Sequence, residues 1–181
     1  MRTTLLLLLV SGFVALAADS PRIEITQANV ASFYRAFTKL FKQPRYVPPA
    51  LSLLCGVPSP EVVAKSRERN GPHSEARIHV YVSATAFRAI DQEKFPFAVG
   101  SVVVKEKLGG RDSVVGIGGM IKRQPGFDSE NGDWEYFYSD LKEGFKIGKL
   151  QNCSRCHAKA KATDFVFSKA EPQNTPQGST L

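Results

Sequence analysis

Ser101-Val102-Val103-Val104-Lys105-Glu106-Lys107, closed by Gly109-Gly110-Arg111-Asp112 and returning through Val114 to Ile121, is the stretch that decides the fold. β-Branched residues fill the first segment, a glycine pair with polar neighbours breaks it, and a second β-rich segment comes back. The pattern predicts a strand from Val99 to Lys107, a hairpin loop at 109–112 and a return strand from Val114 to Ile121. Gly116, Gly118 and Gly119 inside the return strand predict a bulge, or the close approach of a flat group to the backbone.

The same reading extends outward. Arg77-Ile78-His79-Val80-Tyr81-Val82 alternates, with Ile78, Val80 and Val82 on one face. A short helix from about Ala84 to Asp91 leads to a turn at Pro96. After the hairpin, Pro125 to Gly132 reads as loop and Trp134-Glu135-Tyr136-Phe137-Tyr138 as a fourth strand. Consecutive strands joined by short turns predict an antiparallel sheet. Ahead of them, Val30, Phe33, Tyr34, Phe37, Leu40 and Phe41 recur at helical spacing, predicting a helix from Ile23 to about Lys42 that ends at Pro44, Pro48 and Pro49. Cys55 to Pro72 reads mostly as surface loop around a short charged helix. The fold class is therefore α+β, mainly an antiparallel β-sheet with flanking helices.

The chemistry lies downstream, in Cys153-Ser154-Arg155-Cys156-His157. This is the C-x-x-C-H pattern for covalent attachment of one c-type haem. Two thiols three positions apart can each form a thioether with one porphyrin vinyl group, and the next histidine can ligate the iron. A zinc site would need a second ligand pair, and the rest of the chain offers only Cys55, His73 and His79, without paired spacing. A thioredoxin-like motif would open a helix after a strand in a βαβ unit, and none surrounds it. The haem c site thus falls near the C-terminus, on a helix running into Ala158 to Thr163.

Met1-Arg2, an apolar run from Leu5 to Leu16 and the exit Ala15-Leu16-Ala17-Ala18 describe a secretory signal peptide over 1–18. That run is too short to cross ~30 Å of hydrocarbon, and no later stretch is longer, so no membrane span is expected. Export fits covalent haem attachment and places the mature chain in the periplasm or otherwise outside the cytoplasm. Residues 19–170 are expected to form one haem domain, and the Pro-, Gln- and Ser-rich tail 171–181 to be disordered. The net charge is +7, one unit less without Arg2. The basic residues are scattered and lack the aromatic interleaving of a nucleic-acid surface, so nucleic acid is excluded as a partner. Cys55 sits in an apolar run and reads as a buried, inert thiol.

Ile78 to Val82, Gly100 to Glu106, Gly132 to Tyr136, Cys153 to His157 and Thr163-Asp164-Phe165-Val166-Phe167 together resemble the cytochrome P-460 family, which includes the β-sheet cytochromes c′. The resemblance runs from about residue 70 to 170. It implies an antiparallel β fold, a homodimer, one haem c on Cys153 and Cys156 with His157 as the proximal iron ligand, and a small nitrogen compound, nitric oxide or hydroxylamine, as ligand. Lys105 falls on the lysine that the P-460 branch joins covalently to the haem edge. A solvated strand lysine beside Glu106 is the alternative. The position where hydroxylamine-oxidising relatives carry a carboxylate falls on Gly118, which takes no proton. Met120, Ile117, Phe97 and His79 are the candidates for the distal pocket.

Two functions compete. One is a mono-haem c cytochrome with an open axial site that binds or redox-transforms small nitrogen compounds, served by a soluble electron-transfer partner. Whether it turns its ligand over as an enzyme is left open. The other is a six-coordinate electron-transfer cytochrome, with Met120 or His79 as the sixth ligand. A haem peroxidase would need a distal His/Arg pair, which does not stand out.

Overall fold

The computed structural model describes residues 23–47, 76–141 and 144–167. Residues 1–18, expected to be a signal peptide, Cys55 with the loop and short charged helix expected around it, and the tail from 171 lie outside the described residues. Seven strands among them form one antiparallel sheet: β1 (Thr38–Lys39), β2 (Arg45–Val47), β3 (Ala76–Val82), β4 (Val102–Leu108), β5 (Val114–Lys122), β6 (Trp134–Ser139) and β7 (Phe145–Gly148). From β3 to β7 the spatial order follows the sequence, as expected for strands joined by short connections. β1 and β2 share the outer edge of β3, opposite Val82 and Ile78 respectively. Two α-helices among the described residues, α1 (Ala84–Asp91) and α2 (Gln151–His157), flank the sheet, so the described fold is mainly β. α1 has the predicted limits, and its Ser83 hydroxyl caps it by accepting from the Ala86 amide.

The β4–β5 hairpin forms where expected, by a different device. Arg111 and Asp112 hold the two positive φ angles, 54° and 58°, of a primed turn closed by the Ser113 amide on the Gly110 carbonyl. Gly109 is required for room: a Cβ there would lie 2.7 Å from Val115 Cγ1. The bulge predicted for β5 is present, with register slipping between Lys107, opposite Gly116, and Leu108, opposite Val114. The sequence pattern missed β7, a short strand with polar and exposed positions, and the edge pieces β1 and β2.

Both faces of the sheet are covered, so Val102-Val103-Val104 is buried throughout instead of alternating with solvent. One face carries Val80, Val82, Val103, Met120, Trp134 and Tyr136, packed against α1, Phe97 and the residues around α2. The other carries Val102, Val104, Ile117, Ile121 and Phe137, under Ile25, Val30 and Tyr34. The result is three layers, with the sheet between the N-terminal segment and the C-x-x-C-H segment.

The helix expected from Ile23 to Lys42 is replaced by successive turns. Amides bond back to carbonyls three or four residues earlier without a sustained ladder, and by Thr38 the chain is extended. Its apolar residues also split. Phe33 and Phe37 join the Tyr34 side, whereas Leu40 and Phe41 pack on the opposite face. The physical reason is the edge pairing: the Leu40 amide donates to Val80 O at 2.8 Å, which carries the chain across the sheet margin. A single amphipathic helix cannot serve both faces.

Candidate functional site

α2 presents Cys153 and Cys156 three positions apart, on one side of a helical turn, both half-buried. A 3-10 segment, Ala158–Thr163, follows, and then Asp164 and Phe165 adopt left-handed φ angles of 52° and 65°. The reversal turns the Phe165 carbonyl back onto His157, whose Nδ1 lies 2.6 Å from it. A carbonyl only accepts, so Nδ1 carries the proton and Nε2 keeps its lone pair for a metal. Tyr136 and Phe167 flank the imidazole, each with its ring 5.3 Å away.

Strand parity brings Lys105 to the same place. On β4 it shares a face with Val103, between Val80 of β3 and Gly118 of β5. Its ammonium lies 5.7 Å from the Phe167 ring centre. Gly118 next to it has no side chain, and Tyr138 is the following residue in the row. Val80, Lys105, Gly118 and Tyr138 include no carboxylate.

Burial sets the charge states. It pushes the His157 imidazole down to about 4, with Lys105 adding to the effect and the Phe165 hydrogen bond opposing it. The ring is therefore a neutral donor at ordinary pH, as metal ligation requires. Burial also lowers the Lys105 amine, against the pull of Cys156 and Cys153, which favours its nucleophilic neutral form. It raises the Cys153 thiol. The Tyr136 phenol is raised chiefly by burial, and its hydroxyl is buried with no hydrogen-bond partner among the described residues. Such an orphan donor beside His157 suits a site built for a further group.

Of the distal-pocket candidates, Met120 and Phe97 lie in the core on the Lys105 face. Ile117 and His79 do not. Ile117 packs with Val104 and Phe137 on the far face, because it is the residue next to Gly118 on the strand and adjacent residues point to opposite faces. His79 pairs with Glu106, also facing away, and its Nε2 lies 3.3 Å from Lys39 Nζ. There the Tyr34 hydroxyl donates to the buried Glu106 carboxylate at 2.6 Å and Tyr81 donates at 3.2 Å. Lys105 and Glu106 are thus neighbours in sequence on opposite sides of the sheet.

Sequence reasoning passed over the anchor behind the histidine. Lys122, buried, and Asp164, whose side chain is 9% exposed, form an ion pair with Nζ–Oδ distances of 2.8 and 2.6 Å. The Phe97 amide also donates to the Asp164 carboxylate at 2.8 Å, and the Trp134 indole donates to its carbonyl at 2.8 Å. Strand parity could have placed Lys122 beside Met120. The partner forty-two residues away had no sequence signal.

The donor set fits a covalently held haem. Cys153 and Cys156 would take the tethers and His157 Nε2 the iron, with Lys105 at hand on the sheet. Among the described residues, no group of three or more His, Cys, Asp or Glu side chains could hold a bare metal ion. A family model described as Cytochrome P460 matches residues 60–168, more than half of the chain. No curated protein matches it. No helix among the described residues is long and apolar enough to cross a membrane.

Proposed function

The chain belongs to the cytochrome P460 family, and from that premise we propose that it is an exported mono-haem c cytochrome that binds or redox-transforms a small nitrogen compound. The observation that carries the reading is the convergence of Cys153, Cys156, His157 and Lys105 on one sheet face, where Gly118 pairs with Lys105. When bound, haem supplies the redox centre and the coordination site. The protein tethers it through Cys153 and Cys156 and ligates it through His157, oriented by the Phe165 carbonyl. Tyr136 and the apolar core around Val103 and Met120 limit water at this face.

Nitric oxide suits the site better than hydroxylamine. Hydroxylamine oxidation requires proton removal, and Gly118 stands where a base would be needed. Lys105, on the sheet face that meets Phe167 and His157, is the candidate for a covalent link to the haem edge. His79 faces away, which leaves Met120 as the sixth ligand for the electron-carrier reading, and Met120 is packed in the core at 2% exposure. Homodimerisation and a soluble electron-transfer partner belong to the same proposal.

Absorption spectra of ferric and ferrous protein, with and without nitric oxide, test it. High-spin bands that shift on adding nitric oxide are expected; low-spin bands that do not respond would select the electron carrier. Mass spectrometry of the tryptic haem peptide tests the link, which requires a Lys105 peptide to travel with the Cys153–His157 peptide.

A further inference from the structure

We propose that Asp164, paired with Lys122, is a positioning residue that sets the donor strength of His157 and hence the reduction potential of the site. The inference rests on the reading of His157 as the iron ligand. His157 Nδ1–H donates to Phe165 O at 2.6 Å, and that carbonyl points inward only because Asp164 and Phe165 are both left-handed. Neither residue is glycine, so both conformations carry a steric cost and must be held from outside.

Asp164 supplies the hold. Its carboxylate takes Lys122 from β5 and the Phe97 amide, and its carbonyl takes the Trp134 indole from β6. Lys122 Nζ also donates to Gly132 O at 2.8 Å. Phe165 is clamped independently: a Cβ on Gly132, itself at φ 69°, would lie 2.6 Å from Phe165 Cδ2 and 3.0 Å from Asp164 Oδ1. The turn is thus fixed to β5, to β6 and to the loop carrying Phe97, while the Phe165 carbonyl is left for His157.

A firmly held carbonyl gives the imidazole partial anionic character, which makes it a stronger donor and favours ferric iron. Loosening the turn weakens that donor. The potential should then rise, and the ferrous iron–histidine stretching frequency should fall.

The test uses holoprotein carrying Asp164→Asn, Lys122→Met or both. The double variant removes both buried charges together and so guards against a folding failure caused by one left unpaired. Expected for Asp164→Asn and for the double variant is about a tenfold shift of the ferric–ferrous equilibrium toward ferrous, ~59 mV for one electron, with a lowered iron–histidine stretch. Arg123→Gln, which breaks the Arg123–Glu135 pair beside Lys122, should lower melting temperature and leave the potential unchanged. Folded variants that lose only melting temperature, at wild-type potential and stretch, would overturn the proposal. An unchanged spectrum in His157→Ala would overturn the ligand assignment itself, and the inference with it.

Discussion

Gly119→Ala should destabilise the protein while leaving its haem spectrum intact. A Cβ at Gly119 would lie 2.4 Å from Val103 O, 2.4 Å from Phe137 Cζ and 2.8 Å from Phe137 Cε1. An ordinary carbon–oxygen contact is about 3.3 Å, so roughly 1 Å must be found. Phe137 is 1% exposed and packed edge-on against Phe33, so its ring cannot yield without disturbing that packing. Val103 O belongs to the backbone of β4, where Val104 pairs with Gly119. Strands in a ladder lie ~4.8 Å apart and do not part locally without weakening hydrogen bonds. Overpacking costs about 1–3 kcal/mol, and one weakened ladder bond adds about 1 kcal/mol. A loss near 3 kcal/mol follows, or about 9 °C in melting temperature for a chain of this size. The assay is urea unfolding of the holoprotein followed by far-ultraviolet circular dichroism, with the visible spectrum recorded on the same samples. Gly119 faces away from Lys105, so the spectrum should not move. A variant within ~0.5 kcal/mol of wild type, the scatter of ordinary surface substitutions, would refute the close-approach argument.

Met120→Ala and Ile117→Ala should each cost about 2–5 kcal/mol; only Met120→Ala should also alter the spectrum or the nitric oxide affinity, and equal spectral effects would refute the assignment of faces. Tyr34→Phe should cost about 1.5–3 kcal/mol by removing the hydrogen bond to the Glu106 carboxylate. Burial, and then that hydrogen bond, raise the Tyr34 phenol above its ordinary 10. The unfolded chain therefore releases this proton first, and the Tyr34 contribution, complete below about pH 10, declines above it. Unfolding free energies measured from pH 9 to 11 should fall less steeply in Tyr34→Phe than in wild type. His157→Ala should abolish the proximal ligation signature in the visible spectrum, and an unaltered spectrum would contradict its role.

Alternation and turn chemistry are local, and they were legible. The strand cores at Ile78–Val82, Val102–Lys107, Val114–Ile121 and Trp134–Tyr138 and the helix Ala84–Asp91 follow from side-chain pattern and breakers within a few residues. The Cys153–His157 motif is equally local, because its chemistry fixes its own spacing. The N-terminal segment was misread for the complementary reason. Val30 to Phe41 has helical spacing, but its partners lie on two different sheet faces, and pairing of Leu40 with Val80 decided between helix and edge. That Ile117 and His79 face away from Lys105 could have been read from parity, since adjacent strand residues point to opposite faces.

By itself, the sequence determined a mainly antiparallel chain with a C-x-x-C-H turn near its end, since period, turn residues and motif spacing act over a few positions. Tertiary structure alone decided that Lys105 faces that turn while Glu106 turns its back on it. It alone joined Lys122 to Asp164, because a contact between residues forty-two apart depends on how the layers stack. No local pattern carries that information.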